Sequence, residues 1–179
     1  MLSKVRHYVP KEELKSIYHA IFSSHMIYGC QIWGQVKNNY VDKIYKLQNK
    51  AMRIINFAEF RADENPLYCT NNILKLQDYI KLQNCLFVHD FLNGKLPLCF
   101  KDYYFKSNYI YFTVQTRSSN LGCLFAPSKN STTYGLNSIT QKSIGIWNTI
   151  TKEIKTDLSI LSRSKAKTLL TKYFIDKYQ

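Results

Sequence analysis

The sequence lacks the short motifs that mark common catalytic and cofactor sites. It contains no G-x-S-x-G, no Gly-rich phosphate-binding loop and no H-E-x-x-H. Acidic residues are scarce as well, at 12 Asp and Glu in 179 residues, and they are scattered along the chain. We therefore expect no hydrolase, nucleotide-loop, metalloprotease or endonuclease site, and we assign the chain no cofactor and no metal.

Paired cysteines and metal-binding clusters are also missing. The five cysteines are an odd number, none forms a C-x-x-C pair, and no close Cys/His cluster occurs. This pattern argues against a disulfide framework and against a zinc knuckle, so we expect buried free thiols in a reducing compartment. Cys85 and His89 stand four positions apart but lack two further ligands nearby, and His19 and His25 are six apart. We expect structural roles for all four.

A secretion signal is absent from the N-terminus, where MLSKVRHYVPKEE has positive charge but no apolar core. Residues 16–36 contain no Asp, Glu, Lys or Arg, which would suit a membrane span, but two histidines, three serines and two glutamines interrupt them. We expect a buried helix in a soluble protein there, with no membrane partner. The protein is then intracellular, nuclear or cytoplasmic, and not secreted.

Positive charge is what the chain does have. Its 25 Lys and Arg give a formal net charge of +13, which favours polyanionic partners, because each neutralised phosphate releases condensed counterions. Nucleic acid fits this charge best and an anionic membrane less well, while solvated basic faces are the alternative. The charge is uneven, with six Lys and Arg against two acids over residues 36–61, and eight against three over 142–179.

Hydrophobic periodicity predicts a mainly α protein. A first helix begins near Pro10 and weakens at Gly29 and Gly34, and a second covers about 39–57. Val41, Ile44, Gln48, Ala51 and Ile55 are expected to line one side of that second helix. After a loop containing Arg61, Pro66 and Asn71, a third helix over 77–92 is apolar nearly all round, which is typical of a central position in a bundle.

The pattern changes after residue 100. Residues 103–112 contain six aromatics without a helical period, and Ser, Thr, Asn, Gly and Pro are frequent in the stretch that follows. Helical pattern resumes weakly over 138–152 and more clearly over 158–178. We predict a helical bundle over 1–100, an extended aromatic and polar segment over 101–137, and a basic helical C-terminal tail over 138–179.

Two runs, YHAIFSSHMIYGCQIWG at 18–34 and YVDKIYKLQNKAMRII at 40–55, resemble the thumb of reverse transcriptases from non-LTR retrotransposons, especially the jockey-like branch. NILKLQDYIKLQ at 72–83 is similar to the helix that follows the thumb. A downstream order of Thr-Arg, Pro, Gly, Ser-Ile and Trp-Asn also matches, here at 116–117, 127, 135, 143–144 and 147–148. The usual Leu-Pro after Trp-Asn is missing. The resemblance implies a thumb-like bundle over 1–100.

The same resemblance implies that polymerase carboxylates belong to a palm upstream of this region. Polymerases of this class hold two metal ions with paired aspartates, and no two adjacent aspartates occur here. The acids considered for such a role are Asp42, Asp63, Glu64, Asp78, Asp90 and Asp102. None forms a dyad at strand-turn spacing, so we expect no enzymatic activity from this chain on its own.

A basic stripe on the second helix is the best candidate site. Lys43, Lys46, Lys50 and Arg53 are separated by three, four and three positions and so share one face, with Lys37 and Arg61 extending the track at either end. A thumb is expected to contact the backbone of RNA or an RNA–DNA hybrid without reading bases. Arg117 is a further phosphate-contact candidate that would otherwise pair with an acid.

Aromatic residues leave two interpretations open. Tyr109, Tyr111 and Phe112 suit stacking on unpaired bases, but a dense aromatic stretch is more often a strand packed on a core. Trp147 lies among isoleucines and is expected to anchor the tail by packing.

Two functional classes remain open. One is a non-catalytic thumb and C-terminal fragment of a retroelement reverse transcriptase, whose partners are RNA or hybrid duplex and the missing palm. The other is a helical protein-interaction module, or a decayed open reading frame without selected activity. The start at Met1 is compatible with a truncated gene model. A thumb without its neighbours would expose apolar surface, so we expect self-association.

Overall fold

The computed structural model shows a mainly α protein, as predicted. The residues that it describes are 2–35, 38–100, 106–107, 123–125 and 131–178. Within them the chain forms two compact units, and we treat each by itself. Unit 1 comprises Met1–Ile80 and Thr171–Gln179, and unit 2 comprises Lys81–Leu170.

Unit 1 begins with short helical pieces. They are α1 (Leu2–Val5), α2 (Lys11–Ile17), a π-helical segment (Tyr18–Ser23), α3 (Ser24–Ile27) and α4 (Cys30–Trp33). Pro10 is the N-cap residue of α2, and Glu12 and Glu13 lie in its first turn, where carboxylates favour the positive end of the helix dipole.

The helix stops before Gly29, as its glycine predicted, but the expectation that residues 16–36 are buried is wrong for part of the stretch. The helix ends at Ile27, because Gly29 adopts a left-handed conformation with φ 62°, which glycine accepts without a steric penalty. Several apolar side chains of this stretch are exposed, including Tyr28 at 87% and Ile32 at 81%, while others such as Tyr18 are buried. The charge-free run therefore provides surface as well as core. Within the described residues, no helix is both long enough and apolar enough to cross a membrane.

Gly34 is needed for close packing. A Cβ added there would lie 2.9 Å from Cγ1 of Ile80, inside the usual contact distance. The Trp33 indole Nε1 donates to the Tyr28 carbonyl at 2.8 Å and so closes the same turn. The glycines and tryptophan of YGCQIWG thus shape a tight corner.

The long helix α5 (Asn38–Ile55) confirms the second predicted helix, within two residues at each end. Val41, Gln48, Ala51 and Ile55 are buried as expected and Ile44 partly so, and Met52 is fully buried beside them. One face of α5 therefore belongs to the core of unit 1.

A helix that the sequence did not predict follows. α6 (Glu64–Asn71) occupies the stretch that was expected to be a loop. Pro66 is compatible with it, because a first-turn position needs no intrahelical N–H donor. The Asp63 side chain caps the start by accepting from the Asn65 amide at 3.4 Å, and Asn72 ends the helix in a left-handed conformation.

α7 (Leu76–Leu92) confirms the third predicted helix and contributes to both units. Residues 82 and 84–90 are all buried, which agrees with the all-round apolar pattern. Three of them are polar, and Asn84 is satisfied by the Ser143 hydroxyl, which donates to its Oδ1 at 2.9 Å. A short 3₁₀ helix, Leu98–Phe100, comes next.

Unit 2 continues with two short antiparallel strands. β1 (Lys106–Ser107) pairs with β2 (Leu124–Phe125), with Lys106 opposite Phe125. The helices that follow are α8 (Thr133–Leu136), α9 (Ile139–Asn148), α10 (Lys152–Ile160) and α11 (Arg163–Asp176). Leu161 is extended, with ψ 148°, so the single helix predicted over 158–178 is instead two.

The unit boundaries after Ile80 and Leu170 differ from the divisions predicted at residues 100 and 137. Much of the predicted 101–137 segment lies outside the described residues, so that three-part organisation stays a prediction. α11 has residues in both units.

All five cysteines lie in the described part and are free thiols. Cys30 and Cys85 are buried as expected, and burial raises the pKa of the Cys30 thiol to about 11. The expectation of buried thiols is wrong for Cys99, which is exposed on the short 3₁₀ helix, and Cys69 and Cys123 are partly buried.

Candidate functional site

The basic stripe lies on the exposed face of α5. Lys43, Lys46 and Lys50 are all exposed, and their spacing of three and four residues keeps them on one side of the helix. Val41 and Met52 belong to the opposite, buried side. The lysines therefore project from a helix whose other face is held by the core.

Gln48 fixes the rotation of α5. Its side chain is 1% exposed and uses both ends of its amide. Nε2 donates to the Tyr18 hydroxyl at 3.1 Å and to the Leu74 carbonyl at 2.9 Å, and Oε1 accepts from the Leu76 amide at 2.8 Å. A rotated α5 would leave these buried groups unsatisfied, so the network sets the direction of the lysine face.

Buried tyrosines form a second support. The Tyr68 hydroxyl donates to Oδ1 of Asn49 at 2.6 Å, and the Tyr45 hydroxyl donates to Oε1 of Glu64 at 2.5 Å. Burial raises the pKa of Tyr45, and its hydrogen bond to Glu64 raises it further. Burial likewise raises the pKa of Tyr68, and it raises that of Tyr18 to about 12. These tyrosines stay neutral under ordinary conditions.

Arg53 is only partly available to a ligand. Its Nε donates to the Ala62 carbonyl at 3.3 Å, and Nη2 lies 4.0 Å from Oε2 of Glu64. Glu64 is shared with Lys75, whose Nζ lies 3.8 Å from Oε1. Arg53 therefore ties the end of α5 to the following loop, and its role as a phosphate ligand stays a prediction.

A groove of about 530 Å³ runs beside the stripe within unit 1. Its lining residues are Arg6, Lys46, Asn49, Lys50, Arg53, Ile54, Ala58 and Phe60. Four of the eight are cations and none is an acid. The groove combines positive charge with an apolar floor, which suits an organic anion.

Arg6 is the member of this site that the sequence did not reveal. Its guanidinium Cζ lies 5.0 Å from the ring centroid of Phe57, and its Nε is buried without a hydrogen-bond partner among the described residues. No periodicity links residue 6 to residues 46–53, because α1 reaches α5 only through the fold. A buried guanidinium N–H without an acceptor is a natural donor for an anion.

The remaining predicted residues lie elsewhere. Arg61 is exposed in the turn before α6, and the Lys43 ammonium is 5.8 Å from the ring centroid of Tyr40. Lys37 and Arg117 lie outside the described residues, as do the aromatics proposed for stacking, Tyr109, Tyr111 and Phe112. The structure brings together Lys46, Lys50 and Arg53.

Histidines and thiols form no metal site in the part of the chain that the structure describes, where no three His, Cys, Asp or Glu converge. Cys85 and His89 are both buried, as expected for core residues. The His89 ring approaches Oδ1 of Asp90 at 3.4 Å and the Leu161 carbonyl at 3.1 Å, so both ring nitrogens are engaged. His19 and His25 are exposed.

Some basic residues of the C-terminal segment are buried or paired with an acid. Lys155 is buried, and burial lowers its pKa, while partial burial lowers that of Lys142. Arg163 places Nε 3.2 Å from Oδ2 of Asp90. The burial of Lys155 and the ion pair of Arg163 both lie within unit 2.

The Trp-Asn pair of the predicted downstream pattern has a packing role. Trp147 is 3% exposed, which confirms it as an anchor. Asn148 brackets the backbone of Leu124, because its Oδ1 accepts from the Leu124 amide and its Nδ2 donates to the Leu124 carbonyl, both at 3.0 Å. The pair thus ties α9 to β2.

Comparison with protein-family models, with curated proteins and with solved structures gives no match. The resemblance to a retrotransposon thumb stays a prediction from the quoted residues.

Proposed function

We propose that this chain binds RNA or an RNA–DNA hybrid through its phosphates, using the exposed lysines of α5 and the groove beside them. The observation that carries this proposal is the convergence of Arg6, Lys46, Lys50 and Arg53 on one groove that no acid lines. Lysines meet phosphates as point charges and read no base edges, so the binding is independent of sequence.

In the same proposal, the chain is the non-catalytic C-terminal part of a non-LTR retrotransposon reverse transcriptase and has no enzymatic activity on its own. Support comes from the residue runs at 18–34 and 40–55. Tyr18 and Gln48, one from each run, meet in the network that orients α5. The palm of such a polymerase is then the expected protein partner.

A salt titration tests this function. Fluorescence anisotropy with a labelled 20-base-pair RNA–DNA hybrid should show affinity falling steeply between 50 and 200 mM salt. In a variant with Lys43, Lys46 and Lys50 changed to Gln, loss of three phosphate contacts should lower the affinity roughly 100-fold at low salt and reduce the log–log slope by about 2 to 3.

A matched control removes equal charge elsewhere. Lys152, Lys165 and Lys172 are exposed in the C-terminal segment, and their change to Gln should alter the slope by less than about 1. Equal losses in the two triple variants would show that net charge alone drives binding, and no binding by the wild type at 50 mM salt would refute the proposal.

A protein-interaction module is the second candidate, favoured by one observation. A shallow groove of about 350 Å³ is lined by Trp33, Tyr40, Val41 and Ile44, and Ile32 is 81% exposed on α4. Exposed apolar surface of this kind marks protein contacts. Light scattering across a hundredfold concentration range should then reveal oligomers, and Ile32→Ser should shift them toward the monomer. The same chain should bind no hybrid at low salt.

A further inference from the structure

The groove beside α5 has a feature that phosphate binding alone does not require. Phe60 lines it and is 85% exposed, while Ile54 and Ala58 add further apolar surface. A surface that contacts only phosphates needs cations and polar hydrogen-bond donors, and it needs no aromatic ring. An uncovered phenyl ring beside four cations suits a ligand that has both an anionic and a flat apolar part.

The volume of the groove fits one such ligand group. At about 530 Å³ it lies within the range of roughly 300 to 1,000 Å³ that is typical of small-ligand pockets. Arg6, Lys46 and Lys50 supply the positive charge, and Arg53 is partly neutralised by Glu64. The Phe57 ring is less open to stacking than Phe60, because the Arg6 guanidinium lies over it at 5.0 Å from its centroid.

Building on the nucleic-acid binding proposed above, we propose that this groove holds one nucleotide of a single strand, with its base stacked on Phe60 and its phosphate on Arg6, Lys46 and Lys50. Internal bases of a duplex are stacked on both neighbours and present only their edges, so they offer no face to the ring. An unpaired base has a free face, and aromatic stacking tolerates any base. The preferred ligand is then single-stranded RNA or DNA, or an unpaired end of a hybrid.

Phe60→Ala in the full chain tests this inference. Anisotropy is measured at 50 mM salt with a 20-nucleotide single strand and with a blunt 20-base-pair hybrid. Loss of one stacked base should weaken single-strand binding by roughly 5- to 150-fold, and hybrid binding by less than about twofold. Tyr134→Ala is the matched control, because Tyr134 is 93% exposed on α8, and it should change neither affinity.

A direct readout accompanies the affinities. Phe60→Trp should retain single-strand binding and add a fluorescence signal, over that of Trp33 and Trp147, that the single strand quenches. Circular dichroism should show the same helix content in all variants, since Phe60 is a surface residue. Adenosine monophosphate as competitor distinguishes a strand from a free nucleotide, and it should displace the strand only at concentrations at least 100-fold higher.

The outcomes separate this inference from the proposed function. If the wild type binds the hybrid but Phe60→Ala lowers both affinities equally or neither, the stacking site is refuted and phosphate binding stands. If adenosine monophosphate competes as well as the strand, the site belongs to a free nucleotide and the single-strand assignment is overturned. If the wild type binds no nucleic acid, both proposals fail.

Discussion

The region around α5 and the C-terminal segment are both strongly basic and both expose lysines, but some cations of the C-terminal segment are buried or paired within the fold. Lys and Arg exceed acids by four over residues 36–61 and by five over 142–179. On α5 three lysines are exposed above a buried face, and two of them line a groove without acids. In the C-terminal segment Lys155 is buried and Arg163 is paired with Asp90, whereas Lys152, Lys165 and Lys172 are exposed.

The difference teaches that the charge of a segment does not measure the cations that a ligand can reach. A cation used inside the fold is already paired or desolvated, and it gains little from a phosphate. A cation without an internal acceptor can contact a phosphate and so displace counterions condensed on the nucleic acid. Three changes test how far this contrast extends, beginning with the largest expected effect.

High pH should destabilise the support of α5 most strongly. Burial raises the pKa values of Tyr18, Tyr45 and Tyr68 above the ordinary value of 10, so the stability they contribute is full below pH 10 and is lost as pH rises from 10 through the folded pKa, which is about 12 for Tyr18. Each such tyrosine contributes up to about 1.4 kcal/mol per pH unit. The lowered pKa of Lys155 acts oppositely, since its burial cost declines as pH rises toward 10.5.

Urea unfolding at pH 8, 10 and 11, followed by circular dichroism, measures this effect. Tyr18→Phe should reduce the loss between pH 10 and 11, although it removes the acceptor of one Gln48 hydrogen bond at all pH values. Tyr134→Phe, at an exposed site, should leave the pH dependence unchanged. Equal stability at pH 8 and 11 would contradict the prediction.

One arginine from each region sharpens the contrast. Arg6→Gln should weaken hybrid binding roughly 10-fold and lower the salt slope by about 1, because it removes one phosphate contact from the groove. Arg163→Gln should change affinity by less than about twofold. It should instead cost about 1 kcal/mol of stability, since Asp90 keeps its contact with His89 but loses the guanidinium, while the arginine itself is 58% exposed.

Anisotropy and urea unfolding of both variants give the comparison directly. If Arg163→Gln reduces the affinity for the hybrid as much as Arg6→Gln does, the proposed difference between the groove cations and the paired C-terminal arginine is contradicted.

The third prediction concerns the packing role of the Trp-Asn pair. Asn148→Ala removes both hydrogen bonds to Leu124 and should lower the free energy of unfolding by roughly 1 to 2 kcal/mol, with no change in nucleic-acid affinity. Thr149→Ala is the control one residue later, at an exposed position. It should lower the free energy of unfolding by only a few tenths of a kcal/mol. A loss of affinity in Asn148→Ala would place this pair in the binding surface.

Local pattern predicted the helices that have strong periodicity. α5 and α7 were predicted within two residues of their observed ends, because each has an apolar pattern over four or more turns. α6 was missed because Pro66 and two asparagines suggest a loop, whereas Asp63 and Asn72 provide its caps. Leu161 breaks the final helix without glycine or proline, and the local signal that was missed is Ser162, a favoured N-cap residue type directly before α11.

The candidate site was predicted only in part. Lys43, Lys46, Lys50 and Arg53 share a helix, and their common face follows from 3.6 residues per turn. Arg6 and Phe60 come from other parts of the chain and join them through packing. The engagement of Arg53 by Ala62 and Glu64 depends on how the loop after α5 turns back, which spacing does not encode.

The sequence by itself determined a mainly α protein with a basic face on α5, because helical periodicity and charge spacing are local properties. Tertiary structure alone decided which cations remain available: it added Arg6 to the groove, partly neutralised Arg53, and buried Lys155. The physical reason is that burial and pairing depend on residues distant in sequence, which only the packed chain brings within a few ångströms of one another.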